Sequence, residues 1–238
     1  MKPKEIQAGK LPDVLRDRDV DRATALWRRY FSEERSLGIP LFTGSQFERF
    51  KSVDNRLAPN EITSDDLIAV SMLGVQIPAP AALRILDRDR DRICSLLKEI
   101  PHTSLADAEP DVIAVGTSGA SRLWKRLRKE RDGMGPTTTS KLMARKRTHL
   151  IPVWDDLVKY STGQDTLTHW DWMRDILKAD NNLLHRWLRD SADLAGELED
   201  VSVLRLFDVL VWLTESERRA SERESAGRGQ GSGKVVFQ

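Results

Sequence analysis

Apolar residues recur along this chain at steps of three and four, the spacing of amphipathic helices, with few interruptions. Between residues 20 and 37, Ala23, Leu26, Trp27, Tyr30 and Phe31 mark one helical face, and Gly38-Ile39-Pro40 is expected to end it. Between residues 60 and 74, Thr63 or Ser64 is placed to cap a helix whose first turn carries Asp65 and Asp66, which suit its positive end. The run LIAVSMLGV inside it is apolar all round and predicts a buried helix. Residues 81–100 carry Leu83, Leu86, Ile93, Leu96 and Leu97 as an apolar set, with the string DRDRDRD as a solvated face. Further helices are expected over 118–130, 136–146, 153–160, 170–179, 181–198 and 202–223; in the last, Val203, Leu206, Phe207, Leu210 and Leu213 form a stripe. Strand signals are nearly absent, so the fold class is all-α. Residues 1–19 read as an N-terminal extension, 20–223 as one helical domain, and the polar, glycine-rich stretch 224–238 as a disordered tail or linker.

Composition narrows the classes. The 238 residues are 39% hydrophobic and 32% charged, enough to bury a full core in a soluble protein. No apolar run approaches the roughly 18–20 residues a membrane span needs, and the N-terminus lacks the apolar segment of a secretion signal. A single cysteine, Cys94, excludes an internal disulfide and a cysteine-ligated zinc or iron–sulfur site; its apolar neighbours read it as a small buried hydrophobe. The four histidines, at 102, 149, 169 and 185, have no metal-site spacing. The expectation is a cytoplasmic, nucleoid-associated monomer with no metal and no cofactor.

Charge singles out one segment. Residues 122–147 hold ten Lys or Arg against Glu130 and Asp132, a net of +8 in a chain whose formal net charge is +1. A basic hairpin on an otherwise acidic protein suggests a docking surface for a polyanion. Gly133 and Gly135 allow a tight turn and a close approach by another backbone. Pro136 suits the first turn of a helix whose leading amides are free to hold a phosphate oxygen. Thr137, Thr138 and Ser140 add hydroxyl donors, Lys141 a positive charge one turn on, and Arg145 and Lys146 further phosphate contacts. Such a grip positions a nucleic acid without reading its sequence. The plain alternative is an ordinary helix–helix turn with a basic soluble face.

The stretch GMGPTTTSKLMARKRTHLIPVWDD resembles the helix-hairpin-helix DNA glycosylase superfamily over about residues 120–160. Gly133 and Gly135 match the hairpin glycines, and Asp155 falls where that family carries its catalytic aspartate. With FTGSQF, ITSDDLIAVSML, SKLMARKR and LIPVWDD, residues 40–215 also look like a family of actinobacterial-type proteins with no established activity. The glycosylase resemblance implies a two-lobed helical bundle, a groove between the lobes, DNA as partner, and hydrolysis of the N-glycosidic bond of a damaged or modified base, including a hypermodified base of phage DNA. Thr137 stands where bifunctional members carry a nucleophilic lysine, which implies a monofunctional enzyme that leaves an abasic site. Departures are Thr139 in place of Ala, and Trp154 separating Val153 from Asp155.

In such an enzyme a fixed carboxylate near C1′ stabilises the oxocarbenium-like sugar and orients the attacking water. The extruded base needs an aromatic or apolar pocket. Trp154, beside Asp155, is the candidate wall, with Tyr30, Phe42 and Phe47 as more distant ones. Asp155 has a second reading, as a helix N-cap or as a salt-bridge partner of the basic hairpin, and Asp156 is the alternative acid. The competing function is a non-catalytic helix-hairpin-helix DNA-binding module.

Overall fold

The computed structural model describes residues 11–230, so the outer ends of the expected extension and tail, 1–10 and 231–238, lie outside the described residues. The protein is all-α, apart from one two-stranded ribbon. The elements run α1 (Asp13–Arg16), α2 (Val20–Phe31), β1 (Glu34–Ser36), β2 (Ile39–Pro40), α3 (Ser52–Leu57), α4 (Ser64–Ser71), α5 (Ala79–Leu83), α6 (Arg90–Lys98), α7 (Pro110–Ile113), α8 (Gly119–Leu127), α9 (Pro136–Lys146), α10 (Asp156–Thr162), α11 (His169–Ala195) and α12 (Val203–Gln230). Their apolar faces meet in one continuous core, in which α2 packs on α11 and α12, α6 on α8, and α4 on α9. No described helix is long and apolar enough to cross a membrane.

Local signals explain most boundaries. Asp19 caps α2 by accepting from the Arg22 amide at 3.0 Å. Thr63 caps α4 in a reciprocal box, its own amide donating to Asp66 at 2.9 Å. The break expected between residues 179 and 181 is present: Asp180, Asn181 and Asn182 have positive φ, kinking α11 where Asn and Asp tolerate the left-handed region. α12 uses the expected stripe and adds a tertiary bond, from Trp27 Nε1 to Leu206 O at 3.1 Å.

Other boundaries differ from the sequence reading, each for a reason. Residues 11–19 belong to the domain, because Val14 and Leu15 of α1 are buried in the core. α2 stops at Phe31 and the chain turns into the β1–β2 ribbon, where Leu37 is 98% exposed and has nothing to bury against. The apolar run on α4 buries Ala69 and Val70 but leaves Ile68 half in solvent. The single helix expected over 81–100 is interrupted by a π turn at Arg84–Arg88. That turn draws the Arg84 guanidinium inside, where it binds Asp132 (2.5 Å), Asp89 (3.1 Å) and the Arg126 and Leu127 carbonyls at the end of α8. Leu83, expected in the core, is exposed. Val153 lies in extended chain rather than in a helix, and α10 begins only at Asp156. α12 runs through residues 224–230, expected as tail, and the stretch before them carries Glu215–Arg218 and Glu215–Arg219 ion pairs at helical spacing.

The largest difference concerns α9, which is buried on all sides from Thr139 to Lys146. Its cations are therefore satisfied internally. Arg145 binds Asp66 (3.1 Å) and the carbonyls of Phe47, Glu48 and Phe50. Lys146 binds Asn55, the Ala58 carbonyl and Asp66. Arg147 closes the carbonyl ends of α6 and its following turn, at Leu97 and Ile100, and burial pulls it down to about 10. Removing one partner of a buried ion cluster leaves the others uncompensated. Asp66→Asn is accordingly expected to cost about 3–5 kcal/mol in urea unfolding, against less than about 1 kcal/mol for Asp65→Asn beside it.

Candidate active site

The hairpin forms as the glycines demand, but its two halves serve different ends. Gly133 adopts φ +82°, and a Cβ there would fall 2.7 Å from Pro78 Cγ. Its amide donates to Glu130 O, and the Gly135 amide to Gly133 O, so neither is free for a ligand. Among the described residues, the amides of Thr137 and Thr138, in the proline-led first turn of α9, have no carbonyl partner. Gly135 has φ −77° and open space around the position of a Cβ. Gly133→Ala should therefore destabilise by about 1–2 kcal/mol, the cost of a left-handed L-residue, and Gly135→Ala by less than about 0.5 kcal/mol; thermal or urea unfolding of the two variants distinguishes them.

Four expected phosphate contacts point inward instead. Ser140 is fully buried; it accepts from the Trp154 amide at 2.8 Å and donates to Pro152 O at 3.3 Å. Arg145 and Lys146 are locked on Asp66, since a helix buried all round leaves no cation facing solvent. Lys141 is buried and reaches Leu73 O at 3.0 Å and Asp155 Oδ2 at 3.4 Å. The outward charge of the segment sits on its first half. Arg122, Arg126 and Arg128 pair with Glu99, Asp89 and Glu130, while Lys125, Lys129 and Arg131 have no partner among the described residues.

Asp155 meets both of its structural readings. It is the N-cap of α10, with Oδ1 accepting from the Leu157 and Val158 amides at 3.1 and 3.0 Å, and its Oδ2 pairs with Lys141. It also lines a cavity of about 390 Å³, within the range of small-ligand sites. Asp156, the alternative acid, is exposed on the first turn of α10 and does not line that cavity. Five parts of the chain converge on the cavity: α2 and the ribbon with its following turn, the Ser71–Gly74 end of α4, Lys141 of α9, Val153 and Asp155, and Arg205, Asp208 and Trp212 of α12. The hairpin adjoins it, because Lys141 enters it and Gly133 packs on Pro78, four residues beyond the rim residue Gly74.

The aromatic wall is not Trp154. That ring is buried elsewhere, its Nε1 donating to Gln164 O at 3.0 Å, because the extended segment turns its side chain away from Asp155. The wall is a mutually packed trio. Tyr30 and Phe42 stack at 5.1 Å and 11°, and Trp212 meets both edge-on, at 6.1 and 5.7 Å. Phe47 is buried outside this cavity. Arg205, Asp208 and Trp212 were missed by the sequence reading. Their signal was a single Arg and a single Asp, spaced i,i+3, inside the otherwise apolar residues 203–213.

His169 secures the segment that carries Asp155. Its Nε2 bonds to Val153 O at 3.1 Å, and burial pulls the ring down to about 4, so it is neutral near pH 7. The unfolded chain takes up the proton first. This contribution to stability is thus complete above about pH 6.5 and is lost as pH falls towards 4. The loss is expected to reach about 3 kcal/mol, read as the difference between the wild type and His169→Gln in urea unfolding across that range.

Among curated proteins and among solved structures, nothing matches the chain. A family match spans residues 23–215, from α2 to α12, and so takes in every residue of the cavity and the hairpin. The chain belongs to that family, described as a family of unknown function (DUF6308).

Proposed function

We propose that the protein is a monofunctional DNA glycosylase whose cavity receives a base extruded from the duplex. The observation that carries the reading is Asp155: a carboxylate held rigid by two amides, in a cavity walled by Tyr30, Phe42 and Trp212, and joined through Lys141 to the helix of a glycine hairpin. Extruded bases are held by aromatic and apolar surfaces, and a fixed carboxylate stabilises the cationic sugar that forms when the glycosidic bond breaks. Lys141 is committed to Asp155 and Leu73 O, which fits a positioning role and hydrolysis by water rather than a covalent lysine intermediate. The phosphate grip is reassigned to the Thr137 and Thr138 amides and to Lys125, Lys129 and Arg131, with Gly135 leaving room for another backbone to approach. One observation favours the non-catalytic DNA-binding module: Asp155 Oδ1 is spent on capping α10.

The test is incubation with duplexes carrying varied base modifications, followed by alkali cleavage and detection of free base. The wild type is expected to leave alkali-labile sites. Asp155→Asn, which can still cap α10, should lower base release roughly 100-fold or more while DNA affinity persists. Salt-dependent binding without release from any duplex would instead favour the binding module.

A further inference from the structure

We propose that Asp208 is a second catalytic residue of this cavity, the acid that delivers a proton to the departing base; the inference rests on the glycosylase reading above. Asp208 lies on α12, buried, and pairs with Arg205 Nη1 one turn earlier. Arg205 is itself held from two other elements. Its Nη2 donates to the Tyr30 hydroxyl of α2 and, at 3.0 Å, to Gly44 O, and its guanidinium stands 5.3 Å from the Tyr30 ring centroid. Gly44 permits this approach, since a Cβ there would fall 2.2 Å from the Tyr30 oxygen. A charged pair placed so deliberately in an apolar helix, at the wall of a cavity that also holds Asp155, has no capping or surface role to explain it.

The two carboxylates are in opposite circumstances. Asp155 receives two amide hydrogen bonds and faces Lys141. Among the described residues Asp208 pairs with Arg205 alone, and it is the more buried of the two. Burial pushes Asp208 up to about 6; the Arg205 charge opposes this, the Asp155 charge adds to it, and Lys141 opposes it from α9. The Tyr30 phenol from α2 and Arg35 from the ribbon complete the titratable and charged groups lining the cavity. A carboxyl group raised by its surroundings keeps a proton to deliver, as a general acid must.

The C1′–N bond breaks and its electron pair stays on the base. The Asp208 carboxyl proton moves to the base, which leaves neutral, and the Asp208 carboxylate remains beside Arg205. Asp155 faces the cationic sugar. Water then adds to C1′ and gives its proton to a cavity carboxylate, leaving the abasic sugar.

The experiment is the pH–rate profile of base release by the full chain on duplexes carrying uracil, hypoxanthine or 7-methylguanine. Uracil and hypoxanthine leave best when protonated, whereas 7-methylguanine already carries a positive charge. For the neutral bases, wild-type release should fall tenfold per pH unit above about pH 6. Asp208→Asn should be slower by roughly 100-fold or more near pH 5.5, with that alkaline limb gone. Asp208→Glu, which keeps a carboxyl beside Arg205, should retain a limb at a shifted midpoint. Release of 7-methylguanine, where it occurs, should change less than about tenfold in Asp208→Asn. An unchanged limb in Asp208→Asn, in an enzyme that Asp155→Asn disables, overturns the role of Asp208 alone. Release confined to 7-methylguanine also overturns it, because that base needs no acid. No release by the wild type from any of these or the other modified duplexes overturns the glycosylase reading, and the acid with it.

Discussion

Asp66 accepts hydrogen bonds from the Thr63 amide of its own helix and from Arg145 and Lys146 of α9, with all three side chains removed from water. One carboxylate thus caps α4 and anchors the last turn of α9. Burying a helix with two cations on its final turn is prohibitive unless both are paired and their remaining donors find acceptors. Here the remaining donors find the carbonyls of Phe47, Glu48, Phe50 and Ala58. The arrangement fixes the rotation of α9 about its axis. One helical turn before Arg145 on the same face, Lys141 is then aimed at the end of α4 and at Asp155.

The same constraint organises the cavity. Positive and negative groups alternate around it, Lys141 against Asp155 and Arg205 against Asp208, each pair supported by backbone contacts. Charges so placed are held in one geometry by the protein itself. The aromatic trio supplies the apolar part of the wall and adjoins these charges, since Arg205 stands over the Tyr30 ring. The hairpin and the cavity are therefore not separate features: α9 begins at the glycine turn, passes Lys141 through the cavity wall, and ends in the Asp66 cluster.

Particular residues show how much was legible. The longer helices, the Thr63 cap, the left-handed Gly133 and the break near Asn181 followed from local chemistry, which is what short stretches of sequence encode, whereas the short helices α1, α3 and α7 carry too few periodic positions to be read. Asp155 was legible as an N-cap and as a salt-bridge partner of the hairpin, both contacts are present, and the same residue lines the cavity. Trp154 misled, because adjacency in an extended segment puts neighbouring side chains on opposite sides. Asp208, Arg205 and Trp212 went unread because they lie off the apolar stripe of Val203, Leu206, Phe207, Leu210 and Leu213, and the i,i+3 pair of charges among those apolar residues was the clue.

By itself the sequence determined that the protein is all-α and where its glycine hairpin turns, because helical period, caps and positive-φ glycines are properties of neighbouring residues. Only the tertiary structure decided which of the hairpin's charges face the solvent. Lys141, Arg145 and Lys146 read as a solvated basic face until their partners are placed: Leu73 and Asp155 for Lys141, Phe47 and Asp66 for Arg145, and Asp66 for Lys146. A cation's hydration is lost to whatever packs over it, and here that cover comes from up to 98 residues away in the chain.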